Sequence, residues 1–265
     1  MSGRTLEGKW VLILGASSGF GAAAAKALSK AGANIIGVHL DRKAAMANVE
    51  QLIQLIKAEK VEALFFNVNA ADENKRKEVI DQIKPKLDGT YITVFMHSLA
   101  FGTLKPYISD DPKGRLTKDQ MEMTLDVMAN SLVYWVQDLV ANKLISKGSR
   151  IFAMTSSGGT RVWPTYGAVS AAKAALESHI RQLAMELAPM GVTANAIRAG
   201  VTDTPALRKI PGNEQIMKFA KLRNPANRLT TPEDVAKAIT VLANSGVGWI
   251  TGNVIGADGG EDIVG

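Results

Sequence analysis

Apolar positions along the chain follow two alternating rhythms. Short, mainly apolar runs, WVLILG from Trp10, ANIIGVHL from Ala33, VEALFFNVNA from Val61, YITVFMHSLAFG from Tyr91, RIFAMTSS from Arg150 and VTANAIRAG from Val192, end in small or polar residues and predict strands. Between them, apolar residues recur every three or four positions in KAAMANVEQLIQLIKAEK, ENKRKEVIDQIKPKL and a stretch from about Thr117 to Ser146, the rhythm of helices buried along one face. A capped helix, TPEDVAKAITVLAN, and a closing strand, GWITGNVIGADGG, complete the pattern. Strand and helix alternate without a repeat, a low-complexity linker or a break. That predicts an α/β fold with a doubly wound, mainly parallel sheet, in a single domain over 1–265.

In such a sheet, ligands bind beyond the carboxyl ends of the strands, so the residues that follow each run become candidates. The first run enters GASSGFG and then an alanine-rich helix. Gly15, Gly19 and Gly21, with Ser17, Ser18 and Phe20 between them, let backbone N–H groups and a helix N-terminus approach a pyrophosphate. After the second run, Asp41 suits a ribose 2′-hydroxyl, and Arg42 with Lys43 suits a 2′-phosphate. The two adjacent cations favour NADPH, NADH remains possible, and Asp41 capping a solvated helix start is the alternative without a ligand. Asn67 and Val68 end the third run where an adenine would lie, and Ser98, Leu99 and Ala100 end the fourth, against the nicotinamide ribose. His97 reads as a satisfied, partly buried histidine.

The stretch TSSGGTRVWPTYGAVSAAK, from Thr155 to Lys173, carries the chemistry. If a helix runs from about Thr165 to Leu187, Tyr166 and Lys173 lie close to two turns apart and point from one face. A phenol titrates near pH ~10, and a neighbouring ammonium favours its ionised form. Lys173 is expected to be that cation, and Ser156, at the end of the preceding strand, to add a second hydroxyl. The long mixed segment near 200–225 reads as a substrate lid with a short helix.

Composition narrows the chemistry further. There is no cysteine, and His39, His97 and His179 are scattered, so disulfides, thiolate metal sites, a thiol nucleophile and a histidine-built metal centre are all excluded. No apolar run reaches the ~18 residues of a membrane span and MSGRTLEGKW lacks a secretory pattern, which together predict a cytoplasmic protein with no membrane partner. The net charge of +6 is dispersed and not interleaved with aromatics, which argues against nucleic acid and leaves an acidic carrier protein or a phosphate-bearing cofactor.

GASSGFG, Ser156, Tyr166 with Lys173 and the ending ADGG resemble the short-chain dehydrogenase/reductase family, with its Rossmann fold, over nearly the whole chain. Common members place Tyr and Lys with three residues between them, but here that position is Val169 and six residues separate the phenol of Tyr166 from Lys173. This spacing, with HSLAFG and AGVTDTPA, is similar to the enoyl-acyl-carrier-protein reductases of bacterial fatty-acid synthesis, nearest their NADPH-preferring type III branch. The main type carries a second tyrosine where this chain has Ser156. The resemblance implies reduction of a trans-2-enoyl thioester, with Tyr166 and Lys173 catalytic. It also implies Gly200, Thr202 and Thr204 at the cofactor, an acidic acyl-carrier protein as partner, and a homotetramer; Arg208, Lys209, Lys218 and Lys221 near the lid are the candidates to meet that carrier, with ordinary solvated charge as the alternative. A carbonyl, 3-oxoacyl or hydroxysteroid reductase is the runner-up, and a silent nucleotide sensor is the alternative from another class.

Overall fold

Seven strands pair in parallel into one sheet in the computed structural model, which describes residues 4–264. The outermost residues of the expected domain, 1–3 and 265, lie outside the described residues. The strands are β1 (Trp10–Leu14), β2 (Asn34–His39), β3 (Ala63–Asn67), β4 (Ile92–His97), β5 (Arg150–Ser156), β6 (Thr193–Ala199) and β7 (Val254–Ala257), in the spatial order β3-β2-β1-β4-β5-β6-β7. From β1 the chain winds outward to β3, then returns to β4 and winds the other way. The gap between β1 and β4 is therefore the point where a crevice opens beyond the strand ends.

Side-chain alternation assigns the two faces. Leu12 and Leu14 of β1 join the core beneath α3 (Glu73–Ile83), α5 (Ser131–Ala141) and α6 (Gly167–Leu187). Val11 and Ile13 point the opposite way, into the core beneath α1 (Gly19–Lys30), α2 (Met46–Lys57) and α8 (Pro232–Leu242). Register then aligns one rim of the sheet: Leu14 lies opposite both Val38 and His97, and Ala199 lies opposite both Ser156 and Ala257.

Three expected boundaries are corrected. The helix expected from Thr117 to Ser146 is α4 (Lys118–Leu125), a π-helical turn over Asp126–Asn130 and then α5, which stops at Ala141. Leu144 and Ile145 keep the helical rhythm in the sequence. They are buried beneath the start of β4 instead, where Leu144 O accepts from Ile92 N at 2.8 Å, after Lys143 turns the chain with φ +57°. The closing strand is only four residues long, bracketed by left-handed turns at Gly252 and Gly259. Tyr166 precedes α6 as its N-cap, following Thr165, a β-branched residue held at φ +65°.

The last long helix begins as its sequence predicts. Thr231 Oγ1 accepts from Asp234 N at 3.2 Å, Asp234 Oδ2 accepts from Thr231 N at 2.9 Å, and Pro232 occupies the first turn. Thr231→Ala is expected to cost about 1 kcal/mol, read as a fall in melting temperature of roughly 2–4 °C by circular dichroism.

Candidate active site

The turn after β1 is built for close approach. Gly15 N and Ala16 N both donate to Val38 O, at 2.8 and 3.1 Å, which curls the chain over the end of β2. Gly15 adopts φ +80°, and a Cβ at Gly21 would lie 2.0 Å from Gly15 O, so α1 packs directly on the turn. Ser18 caps α1 with no side-chain hydrogen bond, and the helix has no acidic residue in its first turn. Its N-terminal N–H groups therefore face outward beside Ser17 and Phe20, ready for an anion. The methyl of Thr204 lies 3.7 Å from where a Cβ on Gly19 would stand, which brings the loop after β6 alongside this turn.

At the ends of β2 and β3, Asp41 is turned inward. Its Oδ2 lies 2.9 Å from His39 Nδ1, while the Asn67 amide clamps its backbone, accepting from Asp41 N at 2.9 Å and donating to Asp41 O at 3.0 Å. Arg42 and Lys43 are exposed beside it. Asp41 does not cap a helix here, because the first turn after β2 is preceded by Arg42. Val68 packs against the core, with only Asn67 left at the surface of that strand end.

The remaining predicted residues line one cavity of about 530 Å³. Phe20, Ser98, Leu99 and Ala100 form one side, Gly200, Thr202 and Thr204 another, with Ser156, Tyr166 and Lys173 at the base. The buried hydroxyls of Thr202 and Thr204 are already engaged, Thr202 Oγ1 donating to Gly200 O at 3.0 Å and Thr204 Oγ1 accepting from Leu207 N at 3.2 Å. Thr202 has thus spent its proton on the loop, whereas the Thr204 hydroxyl, an acceptor here, keeps its proton to donate.

Lys173 is buried, and its Nζ donates to Met154 O at 2.7 Å. Burial pulls its pKa down to about 8, against which Glu177 pushes upward, so it is still mostly charged at neutral pH. Burial also raises the Tyr166 phenol above its ordinary value, opposed by the Ser156 hydroxyl. The expectation that Lys173 would draw the phenol toward its ionised form is therefore corrected, because desolvation dominates at the phenol, the Ser156 hydroxyl is what opposes it, and Tyr166 stays protonated through neutral pH. Ser156 Oγ is close enough to act on the phenol, yet it forms no well-aligned hydrogen bond within the described residues. A Cβ on Gly158 would lie 2.5 Å from the Tyr166 ring, so the glycine is what allows the ring to lie against that loop. Two hydroxyl donors thus face one cavity, with a buried ammonium behind them.

His97 departs from its expected role. It is fully buried, its pKa is lowered to about 3 by burial and then by Lys173, and it is neutral. Ser131 Oγ spends its proton on Val127 O at 2.8 Å, so His97 Nε2, 2.9 Å away, must be the donor and Nδ1 is left without a partner.

The lid segment follows as Leu207–Lys209, a single tight turn, and α7 (Asn213–Arg223). Trp163 braces it, donating from Nε1 to Pro211 O at 3.1 Å. The tail is bound into the same wall. Arg161 and Arg198 pair with Asp262 at 3.1 and 2.8 Å, Arg223 donates to Val264 O at 2.9 Å, and buried Glu261 accepts from Val201 N at 3.0 Å. Arg161, Trp163, Arg223 and Glu261 are wall residues that sequence reasoning missed. Only Trp163, an aromatic three residues before Tyr166, carried a local signal. No cluster of metal-ligating side chains occurs among the described residues, and no described helix is long and apolar enough to cross a membrane.

Comparison with known proteins is consistent with this geometry. The family described as enoyl-(acyl carrier protein) reductase matches residues 15–261. The NADH-dependent enoyl-[acyl-carrier-protein] reductase FabI of Buchnera aphidicola is 30% identical over 264 residues, covering 97% of this chain and 96% of the relative. The 3-oxoacyl-[acyl-carrier-protein] reductase FabG of Pseudomonas aeruginosa is 27% identical over 256 residues, covering 97% and 98%. In structure, an enoyl-(acyl-carrier-protein) reductase from Anaplasma phagocytophilum, solved in complex with NAD, superposes with a TM-score of 0.84 at 22% identity, covering 100% of this chain and 95% of that one.

Proposed function

The chain belongs to the enoyl-(acyl carrier protein) reductase-like family of short-chain dehydrogenases/reductases, and from that premise we propose that this oxidoreductase reduces the carbon–carbon double bond of a trans-2-enoyl thioester. The observation that carries the reading is the phenol's position. Val169, four residues before Lys173, lines the cavity as a buried apolar side chain, and the hydroxyl comes from Tyr166, three residues earlier. Three residues are about 4.5 Å along a helix axis. An enoyl thioester's oxygen is three bonds from the carbon that accepts hydride, whereas a ketone's oxygen is one bond away, so the donor has to stand farther off.

A bound nicotinamide cofactor would supply hydride for C3 of the substrate. The Gly15–Gly21 turn and the α1 N-terminus suit its pyrophosphate, and the 200–204 loop suits its nicotinamide end. NADPH is the preferred form in this reading, because Asp41 is occupied by His39 while Arg42 and Lys43 are exposed. Tyr166, kept protonated by burial, donates to the thioester oxygen as enolate charge develops, and Ser156 adds the second donor. C2 then takes a proton. Lys173 supplies positive charge beneath the site. An acyl-carrier protein would meet the exposed Lys209, Lys218 and Lys221 on the lid rim, whereas Arg208 is already paired with Asp203 at 2.7 Å. Assembly as a homotetramer in the cytoplasm completes the proposal.

Likeness to a 3-oxoacyl reductase keeps one rival in view. Oxidation of NADPH and NADH, followed with crotonyl and acetoacetyl thioesters in parallel, separates the two. Faster crotonyl turnover is the expected result and names the cofactor. Faster acetoacetyl turnover would make this a ketoreductase.

A further inference from the structure

Glu177 is a half-buried carboxylate that the reaction above does not use. It stands one helical turn beyond Lys173 on α6, so both side chains leave the same face. The hydroxyl of buried Thr155 donates to Glu177 Oε1 at 2.6 Å, tying the carboxylate to the end of β5. The neighbouring residue, Met154, supplies the carbonyl that receives Lys173 Nζ at 2.7 Å. One strand end thus holds both charges, the cation through its backbone and the anion through a side chain.

Little else surrounds Lys173 that could keep it charged. From β4 it meets His97, which is neutral and can only disfavour the cation if it ever gains a proton. From the start of α6 it has Tyr166, an uncharged phenol at neutral pH. β5 contributes only the Met154 carbonyl and the Thr155 and Ser156 hydroxyls, and the loop after β5 contributes Gly159, whose Cβ position lies 3.5 Å from Lys173 Cβ and 3.4 Å from Glu177 Oε1. Glu177 is therefore the one acid acting on this ammonium among the described residues.

We propose that Glu177 is a positioning residue for the reaction: pinned by Thr155, its carboxylate keeps the buried Lys173 side chain cationic and seated against Met154 O. The direction of the effect follows from burial, which favours neutral lysine, while an adjacent anion opposes it. With Glu177 present, Lys173 loses its proton as pH rises through about 8. Without it, the same loss begins at lower pH and reaches the neutral range.

This inference rests on Lys173 serving the oxidoreductase site described above, but its test does not depend on which thioester is reduced. Lysines labelled with ¹³C at Cε are followed by NMR through a pH titration of the ligand-free protein, with Lys173→Met identifying the signal. The wild-type midpoint is expected near 8, and in Glu177→Gln it should fall by about one pH unit. Glutamine keeps the shape and still accepts from Thr155, so a purely structural role would leave the midpoint where it is, and that result overturns the proposal. Glu177→Asp retracts the charge by one methylene and should give an intermediate midpoint. It carries the same test should the glutamine variant fold poorly. The alkaline limb of kcat/KM should shift in step, whichever thioester proves to be the substrate. A shifted midpoint with no enoyl reduction would retain Glu177's role and refute only the substrate assignment.

Discussion

Tyr166→Phe will lower turnover on an enoyl thioester by about 10²- to 10⁴-fold, the range for loss of a positioned proton donor, while cofactor affinity and melting temperature stay close to wild type. The asymmetry follows from where the hydroxyl sits. The Tyr166 ring lies against the Gly158 loop and the core, and phenylalanine keeps those contacts. Ser156 Oγ, the buried polar atom beside the hydroxyl, already stands without a well-aligned hydrogen bond within the described residues, so removing the phenol's oxygen breaks no established bond. Fluorescence titration of NADPH, a melting curve and steady-state rates give the three readouts. Turnover within a few-fold of wild type would remove Tyr166 from the chemistry and transfer the donor role to Ser156. Because the phenol is pushed up and Lys173 titrates near 8, the alkaline loss of activity in the wild type should belong to Lys173 and not to Tyr166.

Gly21→Ala is expected to damage fold and site together. The new Cβ would stand 2.0 Å from Gly15 O and 3.2 Å from Ala16 Cα, both backbone atoms that cannot rotate aside. Either α1 lifts from the turn or the turn opens, and in each case the N–H groups facing the proposed phosphate site lose their aim. The overpacking should cost about 3 kcal/mol, seen as a fall in melting temperature of roughly 6–12 °C, with NADPH binding weakened at least tenfold. An unchanged melting temperature and unchanged affinity would mean that the turn and α1 are not in contact as described.

The order and type of the elements were legible because their patterns are local. WVLIL running into GASSGFG announces a strand, a turn and a helix within some twenty residues, and Tyr166 and Lys173 share one helix. The π-helical turn over Asp126–Asn130 left no such trace, since one extra residue in a turn barely alters the spacing of Leu125, Met128 and Leu132. Glu261 and Arg223 were invisible for the opposite reason: they reach the cavity from the tail and the lid by tertiary contacts far apart in sequence. The misjudged electrostatics of Tyr166 had a third cause. Spacing reports which charge is near, but burial decides the sign of the shift, and burial belongs to the folded state. Glu177 was readable in principle as an acid four residues after the lysine, yet nothing in the sequence announces that Thr155 would hold it there.

The tail from Asp258 to Val264 has a bearing on how the protein should be handled. Asp262 is gripped by Arg161, beside the Tyr166 loop, and Val264 by Arg223, the last residue of α7, so this short segment straps α7 to the Tyr166 loop. A label or a proteolytic cut introduced within 258–264 would loosen that strap. The described amino-terminal side, where Leu6 N bonds Ala31 O behind the opposite end of β1, has no such connection to the cavity and is the side from which the molecule can be tethered, labelled or immobilised.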